Sequence, residues 1–115
     1  MHAFIHPSSI YLYCHSVDFR KSINGLVLMI EQELGLNAFD PTLFVFGNKA
    51  RDKIKCLYWD STGFALWYKR LEKNRFKWPK NNALKDANLS AEQFQWLLSG
   101  YDIVGHRPVV FRSTG

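Results

Sequence analysis

The sequence holds 115 residues, 47% hydrophobic and 16% aromatic, enough for one packed core and too few for two, so residues 1–115 are read as a single domain that needs neither disulfide nor metal to fold. No stretch approaches the ~18 consecutive apolar residues of a membrane span, and the N-terminus lacks a cationic start followed by an apolar run, so the expected setting is the cytoplasm, with no membrane contact. The net charge of +5 is unevenly placed: residues 49–85 carry eleven Lys and Arg against three acids, while the flanking segments are mildly acidic, a distribution suited to a polyanion or an acidic partner surface.

In chain order, Ile10–Cys14 is β-branched and aromatic and bounded by polar turns, which predicts a first strand. Asp18 fits a helix N-cap, and Phe19, Ile23, Leu26, Val27, Ile30 and Leu34 trace one helical face. Gly35 is the expected stop, because it can take positive φ. After Pro41 the period changes. Thr42–Phe46, Lys53–Trp59, Phe64–Leu71 and Arg75–Trp78 alternate or run apolar, with turn signals at Gly47-Asn48, Asp60–Gly63 and Glu72–Asn74. They predict an antiparallel meander of about four strands.

Residues 79–88 lack periodicity and read as a loop. Ser90 and Gln93 form a capping box, and Leu89 and Phe94 a hydrophobic staple, which predicts a helix stopped by Gly100. Pro108–Gly115 is expected as a short edge segment or a flexible tail. The predicted fold class is α+β: an N-terminal strand and helix packed on the meander, then a C-terminal helix. Cys14 and Cys56 sit among apolar neighbours and are expected buried and reduced.

A search for chemistry returns little. The histidines and cysteines lack ligand spacing, so no metal or other cofactor is expected. The glycines form no phosphate cradle before a Lys-Ser/Thr pair. A nuclease would need three carboxylates gathered around metal ions, but the acids fall at element ends, turns and solvated helix faces. The chain is therefore expected to be no enzyme.

The meander itself carries more information. Lys53, Lys55, Leu57 and Trp59 share one strand face, and Ile54, Cys56 and Tyr58 the other. Arg75 and Lys77 alternate with Phe76 and Trp78. Lys69, Arg70 and Lys73 lie near the same end, and Lys49 and Arg51 precede the hairpin. A cationic sheet face with interleaved aromatics can track a phosphate backbone and stack unpaired bases. The same pattern also arises on a solvated sheet face whose aromatics pack beneath a helix.

Leu43–Asn48, Arg51–Lys55, Leu57–Asp60, Gly63-Phe64, Leu66–Glu72 and Phe76–Pro79 together resemble the TnpB-type accessory proteins of insertion sequences of the sixty-six type. Asp18-Phe19-Arg20-Lys21-Ser22-Ile23-Asn24-Gly25-Leu26 is similar to that family's Asp-x-Arg-Lys-x-x-x-Gly-Leu opening, and the helix after Leu89-Ser90 to its closing segment. The similarity runs from about residue 7 to residue 104. It implies an accessory protein of transposition, encoded beside a larger transposase that carries the catalytic acids.

No residue role comes with the resemblance. On physical grounds Arg20, Lys21, Lys49, Arg51, Lys53, Lys55, Lys69, Arg70, Lys73, Arg75 and Lys77 are the candidates for contact with transposon DNA or a partner. Arg20 and Lys21 are expected in the first turn of the first helix, where the dipole disfavours cations. The alternative is an adaptor that docks on the transposase, or on another transposon-encoded protein, through the same face or through exposed Trp67 and Trp78.

Overall fold

In a computed structural model, residues 7–79 and 86–101 are described. Their elements are β1 (Ser9–Ser16), α1 (Ile23–Leu28, continued by a π-helical turn Met29–Glu33), β2 (Thr42–Gly47), β3 (Lys53–Trp59), β4 (Phe64–Arg70), β5 (Ala87–Leu89) and α2 (Ala91–Leu98). The strands form one sheet in the order β4-β3-β2-β1-β5. β1 and β2 are parallel, with Ser9 opposite Thr42 and Leu12 opposite Val45, and every other pair is antiparallel. A parallel pair cannot be joined by a tight turn. The segment carrying α1 makes the crossover. The α+β class, with its N-terminal strand and helix and its C-terminal helix, is the one the sequence predicts.

Strand alternation divides the core in two. Ile10, Leu12, Leu43, Val45, Ile54 and Cys56 pack with Phe94, Leu97 and Leu98 of α2 and with Phe76. Phe44, Phe46 and Leu57 pack with Leu26, Met29 and Ile30 from α1 and its continuation. The sheet is thus covered on both faces. Cys14 and Cys56 are buried free thiols.

Both helix ends follow local chemistry, with one displacement. α2 starts with the predicted capping box: the Ser90 hydroxyl accepts the Gln93 N–H at 3.0 Å and the Gln93 side chain accepts the Ser90 N–H at 2.9 Å. It ends in a Schellman motif, with Gly100 at φ 86° and Tyr101 N–H returning to the Trp96 carbonyl at 2.8 Å; only glycine takes that φ without a Cβ penalty. α1 begins at Ile23 with Ser22 as N-cap, not at Asp18. Asp18 instead closes the turn before the helix, accepting the Arg20 N–H at 2.9 Å on its carboxylate and the Lys21 N–H at 3.0 Å on its carbonyl. Arg20 and Lys21 therefore precede the helix, and the helix dipole bears less on them than the sequence suggests.

The meander supplies three strands rather than four. Arg75–Trp78 is not a strand. Phe76 is drawn into the core, its N–H bonded to the Arg51 carbonyl at 2.7 Å, and the Trp78 indole N–H donates to the Tyr13 carbonyl at 3.0 Å. Anchored to β1 and to the turn before β3, this segment does not pair with β4. A short strand the sequence reading treats as loop, β5, borders β1 instead. The 108–115 segment lies outside the described residues.

Candidate nucleic-acid interface

The turn between β2 and β3 organises one end of the sheet. The Asn48 amide oxygen accepts the Lys53 N–H at 3.0 Å and its amide nitrogen donates to Asp52 at 2.7 Å. That hydrogen bond, aided by the charges of Lys53 and Arg75, holds the Asp52 carboxyl below its ordinary range against a smaller opposing effect of burial. Arg51 adopts a left-handed backbone at φ 61°. Its guanidinium donates to the Cys14 carbonyl at 3.2 Å and lies 4.9 Å from the centre of the Trp78 ring. Burial lowers its pKa. A Cβ on Gly47 would stand 2.9 Å from the Trp78 ring and 3.0 Å from the guanidinium, so the absence of a side chain there makes room for the clip.

The eleven cations selected from the sequence fall around this end. Lys53 pairs with Arg70 across the β3–β4 ladder, and Ile54 with Lys69. Lys49 and Arg51 lie in the preceding turn. Lys73, Arg75 and Lys77, with Leu71, Glu72, Asn74, Ser99 and Gly100, line a cleft of about 650 Å³ between the segment after β4 and the end of α2. Arg20 and Lys21 join them through Lys55, whose ammonium donates to the Phe19 carbonyl at 2.8 Å and the Lys21 carbonyl at 2.9 Å.

Among the described residues, five of the eleven are engaged within the protein. Lys55 holds the turn before α1 and sits 4.8 Å from the Phe19 ring centre; burial lowers its pKa. Lys69 caps α2 by donating to the Leu98 carbonyl at 3.0 Å. Arg51 forms the clip. Arg20 pairs with Asp18 at 2.6 Å and Arg70 with Glu72 at 2.8 Å, both in solvent. Hydrogen bonds donated by Arg20, those of its side chain foremost and then its backbone N–H, pull the Asp18 pKa down to about 2. Lys21, Lys49, Lys53, Lys73, Arg75 and Lys77 have no side-chain hydrogen bond or ion pair among the described residues. Lys21 lies along Gly25, and the other five are disposed around the sheet end and its cleft.

The expected open cationic face is therefore not what forms. α1 covers the sheet on one side and α2 with Phe76 on the other, and the free charge gathers at the sheet's end. Trp67 and Trp78 are half-buried against the α2-side core, so neither is an exposed anchor. The large apolar groups that do reach solvent include Phe39 and Tyr68. Phe39, Trp59 and Phe64 form a ring cluster with centroids 4.8–5.2 Å apart, at the opposite end from the cations. Phe39 sits among Asn37, Asp40 and Pro41, outside any periodic run, which is why periodicity passes over it.

Among the described residues, no three His, Cys, Asp or Glu side chains are grouped so that they could hold a metal ion, and no helix is long and apolar enough to cross a membrane. What this end of the sheet offers chemically is positive charge with free donors beside a cleft.

Residues 8–108 match the family described as IS66 Orf2 like protein. Two proteins of Sinorhizobium fredii are similar to the chain. The uncharacterized protein y4jC is 39% identical over 88 residues, covering 75% of this chain and 73% of that protein. The uncharacterized protein y4hO is 36% identical over 85 residues, covering 74% and 73%. No solved structure matches the chain.

Proposed function

Because the chain belongs to the IS66 Orf2-like family, we propose that it serves transposition as a non-catalytic accessory subunit that binds transposon DNA at the basic end of its sheet. The accessory role comes with the family; the contact with DNA is our reading of the site. The observation that carries it is the convergence of Lys49, Lys53, Lys73, Arg75 and Lys77, none bonded to the described protein, around one cleft-bearing end. Charges without a hydrogen bond or ion pair among the described residues are available to phosphates. Phosphate contacts position a protein on a duplex without reading its sequence, which suits a subunit that presents DNA to a separate catalytic chain.

A second reading has its own observation. The Phe39–Trp59–Phe64 cluster at the other end suits docking on the transposase with no DNA contact at all. Fluorescence anisotropy of labelled insertion-sequence-end DNA, titrated with protein across a range of salt, separates the two. With three or four phosphates neutralised, log affinity falls against log salt with a slope of about −3 to −4. Absence of binding at low salt overturns the DNA reading and leaves the docking one.

A further inference from the structure

The two edges of the sheet are unlike. β5 closes one edge with three residues. Among the described residues nothing pairs with the other edge, β4, along its seven residues Phe64–Arg70, which keep an unbroken register with β3. Natural edge strands are protected by shortness, charged side chains, proline, bulges or a covering element; among the described residues β4 shows only the charges of Lys69 and Arg70, both at one end. Its first five residues, Phe64-Ala65-Leu66-Trp67-Tyr68, carry no charge. Not one residue of the strand is fully buried, and Tyr68 is 52% exposed.

The ladder's ends show which backbone groups are free. Leu71 N–H bonds the Asp52 carbonyl at 2.8 Å, and Asp60 N–H bonds the Gly63 carbonyl at 2.8 Å. Gly63 and Leu71 thus face β3, and by the alternation of an antiparallel ladder so do Ala65, Trp67 and Lys69. Phe64, Leu66, Tyr68 and Arg70 turn their N–H and C=O groups away from the sheet, and none of these groups has a partner among the described residues. A row of free donors and acceptors flanked by apolar side chains is a template for another strand.

We propose that the occupant is a second copy of this chain, its β4 pairing antiparallel with this one about a twofold axis at Trp67. The sequence of β4 is self-complementary in that register. Arg70 meets Phe64 of the second copy, Lys69 meets Ala65, Tyr68 meets Leu66, and Trp67 meets itself. All four outward residues then find outward residues, as an isologous twofold contact requires. No like charges face one another, a juxtaposition that would destabilise the pair. Each Arg70 guanidinium arrives beside the other copy's Phe64–Trp59 ring pair. The two basic ends point apart, with the Arg70 residues about 20 Å from one another, well beyond the screening length of about 8 Å. A parallel pairing would stack the basic ends instead. The result is a ten-stranded sheet with one basic end at each side.

Sedimentation equilibrium of the full chain, without DNA, tests this. The expected result is a monomer–dimer equilibrium. Tyr68→Lys puts an exposed charge opposite Leu66, and Leu66→Pro removes an outward N–H that has no acceptor among the described residues. Each is expected to weaken dimerisation at least about tenfold, with the circular dichroism of the monomer retained. Should Leu66→Pro unfold the chain, Tyr68→Lys alone decides, since its side chain is more than half exposed. A chain that stays monomeric at high micromolar concentration, or a dimer that Tyr68→Lys leaves unchanged, overturns the proposal.

Discussion

Lys55 and Lys53 stand two residues apart on one strand face, and their surroundings assign them different work. Lys55 is spent on the Phe19 and Lys21 carbonyls, while the Lys53 ammonium meets no acceptor among the described residues. Hydrogen bonds from charged donors contribute about 1.5–3 kcal/mol each when well formed. Lys55 is partly solvated, so Lys55→Met is expected to cost about 1–2 kcal/mol in a urea melt, while Lys53→Met leaves stability nearly unchanged. Equal melts for the two variants would contradict this division. Asp86 gives a pH test. Burial pushes its carboxyl up, but the Cys14 N–H at 3.0 Å and the Tyr11 hydroxyl at 2.6 Å outweigh that and hold it below the ordinary carboxylate range. A depressed folded pKa means that its stabilisation is complete above the unfolded value and is lost as pH falls through the folded one. Asp18 and Asp52 are shifted the same way. The melting temperature is therefore expected to drop as pH is lowered below about 4, and less so in Asp86→Asn; parallel profiles for the two proteins would refute the assignment.

Elements with local determinants were legible in the sequence. The capping box, staple and Gly100 stop of α2 involve residues within a few positions of one another, and the structure forms all three. Ser90→Ala is expected to lower stability by about 1 kcal/mol, read in a denaturant melt. Elements decided by distant contacts were less legible. Asp18 has the right type for a cap, but Arg20 beside it closes a tighter turn, and the N-cap position falls four residues later at Ser22, with the helix beginning at Ile23. Arg75–Trp78 alternates like a strand, yet the tertiary anchors of Phe76 and Trp78 win. That packing makes Gly47 critical. Gly47→Ala must displace a half-buried indole, so it is expected to cost about 1–3 kcal/mol and to shift Trp78 fluorescence; a neutral substitution would show that the clip is loose.

At the scale of the whole molecule, the uneven charge of the sequence becomes a polarity of the sheet: cations at the β2–β3 turn end, an aromatic cluster at the β3–β4 hairpin end. The charge asymmetry was legible, because it needs only counting. Its location at an end and not on a face was not, because the parallel β1–β2 pair and its helical crossover depend on contacts more than thirty residues apart. Strand alternation correctly separates Lys53 and Leu57 from Ile54 and Cys56, but cannot reveal that helices cover both sides. Nor can it tell which lysines the fold consumes. The most direct test of the account compares DNA binding by two variants. In one, Lys49, Lys53, Lys73, Arg75 and Lys77 become Ala; in the other, Lys55 and Lys69 become Met. The first is expected to keep the wild-type melting curve while losing at least about tenfold in affinity and most of its salt slope, and the second to lose stability while the folded protein still binds. Undiminished binding by the first variant would contradict the central claim that the uncommitted cations at the sheet's end hold the DNA.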